Sequence, residues 1–373
     1  MPTRWAGAST DPSPAPRDRP LRSSGDRTTT SVVMVSHDSA DLVRPVLDAL
    51  FSDPARPAEV IVVDSASTDG TLDVLADFDV KVIPQEQNVG FAAGCHIGAE
   101  SAQGEILVFL GHDTIPEPGW LGPLVAALDS PGVGAAMATI EDARRPGTFN
   151  TSGGHLTYYG IGWVSDFGEP IPEESEPVDV AFPSGAAMAI RRGTWEAFGG
   201  FRRPFFTYQE DADLGWRLRL AGMRIVRVPE SRVLHRYDFG RSPAKMYHLE
   251  RNRWLMLRSN YRRRTLVVLS PALLLVEVGT TLIASRDGWL SEKLRAWRDA
   301  SRAGAVVREG RVLVDANRSL SDAAMIATMD FRLSGMSQIT PPPGVGLVDR
   351  FLGLWQRVAL AVLRFLDRTR RVS

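Results

Sequence analysis

SVVMVSHDSADLVRPVLDALFSDPARPAEVIVVDSASTDGT, running from Ser31 to Thr71, is the stretch on which the fold turns. Ser31 to Ser36 is a short run rich in β-branched residues. Asp41 to Phe51 then places Leu42, Val46, Leu47 and Leu50 at helical spacing. A second strand-like run, EVIVVD, ends at Asp64 and opens into the turn sequence SASTDGT, with a helical stretch around Leu72 to Leu75. Further along come a short strand from Val80 to Ile83, a loop holding Asn88 and Gly90, a helix from Phe91 to Ala102 and the strand EILVFL from Glu105 to Leu110. Strand and helix alternating over short connections predict an α/β fold whose mostly parallel central sheet is covered by helices on both faces. In such sheets ligands sit beyond the carboxyl ends of the strands. The residues to weigh are therefore Ser36, His37 and Asp38 after the first strand, Asp64 to Asp69 after the second, and His112 with Asp113 after the fourth.

The pattern weakens from Pro131 to Pro177, where Gly-rich and acidic stretches suggest an irregular wall over the sheet. It recovers at PSGAAMAIRR (Pro183 to Arg192), which reads as a strand. In EDADLGWRLRLAG, Leu214, Leu218 and Leu220 predict a helix ending at Gly222. The whole chain has 373 residues, 44% of them hydrophobic, enough for one large core with residues to spare. Its 43 basic and 44 acidic residues leave a net charge of -1, so its overall charge provides no footprint for nucleic acid, and none is expected as a partner. One cysteine, Cys95, excludes an internal disulfide framework and a cysteine-cluster metal site, and reads as a small core residue. The first thirty residues, rich in Pro, Arg, Ser, Thr and Asp, lack the apolar core of a secretory signal and read as a disordered tail. No GxxxxGK or GxGxxG stands at the first turn, which argues against a P-loop or dinucleotide-binding enzyme.

After His235 the chain turns basic, with six arginines and no acid between Arg251 and Arg264. TLVVLSPALLLVEVGTTLIA (Thr265 to Ala284) follows, with Glu277 its only charge. Its length suits a membrane span, but arginines flank both ends, and Pro271 and Glu277 also suit a re-entrant or interfacial helix. FLGLWQRVALAVLRFL (Phe351 to Leu366) has one broad apolar face bordered by Arg357, Arg364 and Arg368; it reads either as a helix lying on an anionic membrane or as a docked amphipathic helix. Pro341 to Gly344 reads as a linker. The expected division is a tail over 1–30, a catalytic domain over 31–262 and a basic, apolar helical region over 263–373. That places the protein in the cytoplasm, peripheral at the inner face of the cell membrane.

VSHDSADL, VVDSASTDGT, NVGFAAGCHIG, ILVFLGHDT, PSGAAMAIRRGTWEAFGGF, YQEDADLGWRLRLAG and VLHRYDFGRS occur in that order from about Ser31 to Ser242. Together they resemble family 2 glycosyltransferases with the GT-A fold, in particular the bacterial branch that includes rhamnosyltransferases of cell-wall and polysaccharide assembly. The resemblance implies an inverting, metal-dependent transferase moving a sugar from a nucleoside diphosphate to a hydroxyl of a lipid-linked or polysaccharide envelope acceptor. It implies that Asp64, with Ser36, Asp38, Asp69, Asn88 and Gly90, binds the donor nucleotide; for Asp64 and Asp69 a turn role, and for Asp69 a helix cap, are the structural alternatives. Asp113 takes the last acidic place of an Asp-x-Asp-like metal motif whose first place is Gly111. His235 matches a histidine that completes the metal or diphosphate site, and the implied cofactor is a divalent ion, Mn2+ or Mg2+. Glu210 and Asp211 match the acidic motif before a helix: Asp211 is the implied catalytic base, while Glu210 and Gly185 border the sugar and acceptor, with helix capping the alternative for the acids. Asp213, Arg217, Gly199 and Gly200 are lesser candidates. His37, Asp38 and His96 depart from the residues common in relatives. A retaining GT-A transferase and a catalytically silent membrane adaptor remain open as other readings.

Overall fold

A computed structural model describes residues 29–236, 240, 242–334 and 344–369. The tail up to residue 28, Pro341 to Pro343 of the expected linker, and Tyr237, Asp238, Phe239 and Arg241 of the VLHRYDFGRS stretch lie outside the described residues.

The first half follows the expected alternation: β1 (Thr30–Ser36), α1 (Ala40–Ser52), β2 (Glu59–Asp64), α2 (Thr71–Leu75), β3 (Lys81–Pro84), α3 (Gly90–Ser101) and β4 (Ile106–Leu110). β1 pairs in parallel with β2 and β4, and β2 with β3. Val32, Val33, Ile61, Val62, Leu107 and Val108 are all buried, because helices cover both faces and leave no solvent side for an alternating pattern. Burying each such side chain contributes about 1.5–3 kcal/mol. Cys95 sits in this core, as its size suggests.

β5 (Thr114–Pro116) and α4 (Leu121–Ala126) lead into β6 (Val133–Asp142), which corrects the reading of Pro131 to Pro177 as an irregular wall. β6 is a ten-residue strand inside the sheet, buried along nearly all its length. Gly134, Ala135, Ala136 and Ala138 have little intrinsic strand preference. The strand forms because two later strands close on it. After β7 (Phe149–Thr151), β8 (Gly154–Leu156), β9 (Gly162–Val164) and β10 (Val178–Asp179) comes β11 (Ala187–Arg191), then α5 (Arg192–Ala197), α6 (Glu210–Leu220) and β12 (Arg224–His235). β11 runs antiparallel between β4 and β6, and β12 lies parallel to β6 on the far side, giving the order β10-β12-β6-β11-β4-β1-β2-β3. The α6 helix ends where expected, with Gly222 at φ +84°.

The remaining helices are α7 (Pro243–Asn260), α8 (Arg263–Arg286), α9 (Leu290–Arg302), α10 (Gly304–Asn317), α11 (Asp322–Ile326) and α12 (Val345–Thr369). They share a second core with residues that precede them in the chain: Leu156, Tyr158, Phe205 and Trp216 pack with Leu257, Leu269, Val276, Ile326, Leu352 and Leu363. This core crosses the expected division at residue 262. Among the described residues α8 alone is long and apolar enough to cross a membrane. Its single acid does not face outward: Glu277 pairs with Arg253 of α7 and, at 3.1 Å, with Lys293 of α9, whose side chain is 0% exposed.

Candidate active site

Parallel pairing brings Ser36 and Asp64 into register at the carboxyl ends of β1 and β2. The Asp64 carboxylate, 1% exposed, accepts hydrogen bonds from Ser36 Oγ (3.1 Å), Ser67 Oγ (2.5 Å) and Ser67 N–H (3.1 Å). It thus braces the turn that follows β2. Asp38, in the left-handed region at φ 44°, accepts from Thr68 N–H at 2.7 Å, so the first two strand ends are tied to each other. Asp69 accepts from Ala40 N–H at 3.1 Å and from both Thr71 donors. The Thr71 and Ala40 bonds lower its pKa, and it both closes a turn and caps α1. Asn88 accepts from Ser65 Oγ and from Gly90 N–H at 2.9 Å. Gly90 has φ +76°, and a Cβ there would meet the Phe206 ring and carbonyl at 2.5–2.7 Å, so no other residue fits without displacement. All six expected donor-side residues therefore lie in or next to the loops at one end of the sheet.

Asp113 follows β4, and His235 ends β12, which pairs with β5 just beyond. Asp113 Oδ1 lies 3.4 Å from His235 Nε2. Burial alone would raise the pKa of Asp113, but bonding to His235 outweighs it and brings the carboxyl down to about 2. The other imidazole nitrogen, Nδ1, is 3.1 Å from Asn150 Oδ1, which fixes the ring plane and turns Nε2 toward Asp113. Gly111 leaves bare backbone here: a Cβ would stand 2.7 Å from Asp113 Oδ1. A half-buried carboxylate facing an oriented imidazole is a donor set that suits a divalent cation of intermediate hardness. Among the described residues no group of three His, Cys, Asp or Glu converges.

Asp211 stands in the first turn of α6, half-buried, with Oδ2 accepting from Gly185 N–H at 3.3 Å and Oδ1 from Ala212 N–H at 2.7 Å. Burial raises its pKa to about 6 against the lowering effect of these bonds. Glu210 is buried with no partner for Oε2 among the described residues, and burial first, then Asp211, pushes its pKa well up. Backbone and imidazole contacts join the stations: His112 Nδ1 donates to the Val35 carbonyl (2.9 Å), and Gly111 N–H to that of Ala186 (2.8 Å), next to Gly185. His112 is thus tied to the end of β1. No hydrogen bond joins the Asp113 pair directly to Asp211 among the described residues.

The lesser candidates are structural. Asp213 is fully buried and accepts from Arg202 (2.8 Å), Arg217 (2.9 Å) and Asn260 (3.0 Å). Gly199 and Gly200 make a left-handed turn against Trp195 and Leu313. One feature escaped sequence reasoning. Phe206, Tyr208 and Gln209, none of them glycine, all have φ between 66° and 68°, so the loop delivering Glu210 and Asp211 is strained. Asn252 of α7 holds it by donating from Nδ2 to the carbonyls of Phe205, Thr207 and Tyr208 at 2.8–3.0 Å. An uncharged amide between Arg251 and Arg253 was the available signal.

Residues 31–198 match the model of the family described as Glycosyl transferase family 2. The N-acetylglucosaminyl-diphospho-decaprenol L-rhamnosyltransferase of Mycobacterium tuberculosis is 30% identical over 243 residues, covering 57% of this chain and 78% of that enzyme. The O-antigen biosynthesis protein RfbC of Myxococcus xanthus is 27% identical over 225 residues, 55% of this chain and 17% of that protein. Among solved structures, GalNAc-T7 with UDP, GalNAc and Mn2+ superposes with a TM-score of 0.56 at 19% identity, covering 67% of this chain and 51% of that one. That last likeness is one of fold, the GT-A arrangement of a mixed sheet with its strand ends open on one rim. The match to the mycobacterial enzyme is longer than the segment matched by the family model and covers most of that enzyme's length, which is the mark of common descent: the chain belongs to glycosyl transferase family 2 and is a glycosyltransferase.

Proposed function

We propose that the enzyme transfers a sugar with inversion from a nucleoside diphosphate to a hydroxyl group of a lipid-linked or polysaccharide envelope acceptor. The observation that carries this reading is Asp211: a half-buried carboxylate with its pKa raised to about 6, oriented by Gly185 N–H, on the same rim as the Asp113–His235 pair. The acceptor oxygen attacks the anomeric carbon from the face opposite the diphosphate and the bond from that carbon to the diphosphate oxygen breaks. Asp211 takes the hydroxyl proton, and the nucleoside diphosphate leaves. Ser36, Asp38, Asp64, Asp69, Asn88 and Gly90 shape the loops that receive the nucleotide, while burial and the neighbouring Asp211 disfavour the charged form of Glu210. Asp113 and His235 would hold a divalent cation, which when bound offsets the negative charge growing on the diphosphate. The name of the mycobacterial relative, which specifies a decaprenol diphosphate-linked sugar as acceptor, supports a lipid-linked acceptor here, and with it a peripheral place at the inner face of the cell membrane.

The test is a thermal-shift panel of UDP, GDP and dTDP and their sugars, with and without Mn2+, followed by the anomer of the product. Stabilisation by one nucleotide family, strengthened by Mn2+ and losing that strengthening in Asp113→Ala, is expected. A retained anomeric configuration, or full turnover in Asp211→Asn, overturns the assignment of the base. Folded protein that no nucleotide stabilises overturns the donor site.

A further inference from the structure

α8 and α12 bury one face each in the same core, through Leu269, Ala272, Leu273 and Val276 on the first and Leu352, Ala359 and Leu363 on the second. They run side by side in opposite directions: Arg264 pairs with Asp367, and further along Trp355 Nε1 donates to the Val268 carbonyl at 3.1 Å. Because both press on one core, their opposite faces open on the same side. On α8 that face carries Val267, Leu274, Val278 and Leu282, which are 52–71% exposed. On α12 it carries Leu347, Phe351, Leu354, Val358, Val362 and Phe365, at the three- and four-residue spacing of a single helical stripe.

Charge on this pair of helices is sorted by side. Glu277 turns inward to Arg253 and Lys293, Asp367 pairs with Arg264, and Asp349 accepts from Leu333 N–H (2.7 Å) and Ser334 N–H (3.2 Å). The exposed charges that remain are arginines. Arg350, Arg357 and Arg364 recur every seven residues, so they line one border of the α12 stripe, and among the described residues they make no ion pair. In a chain of net charge -1, an apolar face bordered by cations alone fits the headgroup layer of an anionic bilayer. A second copy of the chain on this face would bring no acid to meet the arginine row. Crossing the bilayer would require α8 to pull Glu277 away from two cations and to withdraw Leu269, Ala272, Leu273 and Val276 from the core.

We propose that the α8–α12 face lies flat in the interface of an anionic bilayer and that α8 does not cross it. This extends the lipid-linked acceptor reading to the surface that would meet the acceptor's membrane, and rests on that reading for its purpose but not for its geometry. The test floats the full-length protein with phosphatidylcholine vesicles and with vesicles containing phosphatidylglycerol, then washes with alkaline carbonate. Binding to the anionic vesicles with release by carbonate is expected. Replacing Arg350, Arg357 and Arg364 by Gln should lower that partition roughly a hundredfold with donor hydrolysis unchanged, and Leu274→Asp with Leu354→Asp should abolish it. Retention through the carbonate wash overturns the proposal in favour of a span. So does undiminished binding by the triple arginine variant, and so does a dimer that the leucine variant splits in the absence of any vesicle binding. Thermal shift by the donor nucleotide, read on the same preparations, separates the two proposals: intact shift without vesicle binding rejects the surface alone, and vesicle binding without shift rejects the catalytic reading alone.

Discussion

Asp211 combines two properties that pull against each other: it must be ionised to accept a proton, yet its surroundings favour the neutral form and raise its pKa to about 6. Turnover should therefore climb with pH through about 6 and level off above it, as a pH–rate profile will register. The stability effect has the opposite sign. A pKa raised above the unfolded value of about 3.9 contributes stability below about pH 4 that is lost as the pH rises through about 6. Asp211→Asn should thus lose about 10²–10⁴-fold in turnover and yet melt as an enzyme about 1–2 kcal/mol more stable at pH 7.5. Asn252 is a positioning residue for the same group. Without its amide, the Thr207 and Tyr208 carbonyls lose this donor and the Phe205 carbonyl keeps Thr207 N–H. Asn252→Ala should cost about 1–3 kcal/mol in urea unfolding and should lower kcat more than it raises KM. Asp64, Asp69 and Asn88 could be picked out from their turn sequences, but a turn sequence serves equally for bracing a loop and for binding a ligand, and their observed partners are the loop's own donors.

At the scale of elements, helix α8 shows how an apolar segment can satisfy a length criterion for spanning and still be held in place by its neighbours. Glu250 and Glu277 share Arg253 and Lys293, with Trp297 Nε1 donating to Glu250 at 3.1 Å, so α7, α8 and α9 meet at one buried charge cluster. Burial would raise the pKa of Glu250, but the Arg253 and Lys293 charges prevail and bring it down to about 2. Its contribution is complete above the unfolded value of about 4.3 and is lost as the pH falls through about 2. Lys293→Met, which leaves two carboxylates sharing one cation, should cost about 3–5 kcal/mol in thermal or urea unfolding near neutral pH, and that difference should shrink in acid. Glu250 stands three residues before Arg253, a local pair, but nothing in the order of residues links it to Lys293, 43 residues on, or Arg253 to Glu277, 24 residues on. Strand β6 was hidden for a related reason: alanine and glycine carry no periodic signal, and the strand owes its existence to β11 and β12 on either side.

For the whole molecule, the shared second core means that the helices after residue 262 are part of the fold and not an appendage to it. A chain ending after Tyr261 would strip cover from Tyr158, Trp216, Leu257 and Tyr261 itself. It should express mostly as aggregate or bind an apolar dye strongly, whereas an autonomous catalytic domain would stay soluble and melt cooperatively. The alternation of strand and helix from Ser31 to Leu110, the rim at the strand ends and the family likeness were legible in the linear chain, because periodicity and turn chemistry are local and the motifs keep their order. The Asn150 contact that orients His235, the strain before α6, the inward turn of Glu277 and the common outward side of α8 and α12 depended on tertiary structure. Each is a relation between residues far apart in sequence, set by which surfaces the packed core brings together, and local preference carries no information about that.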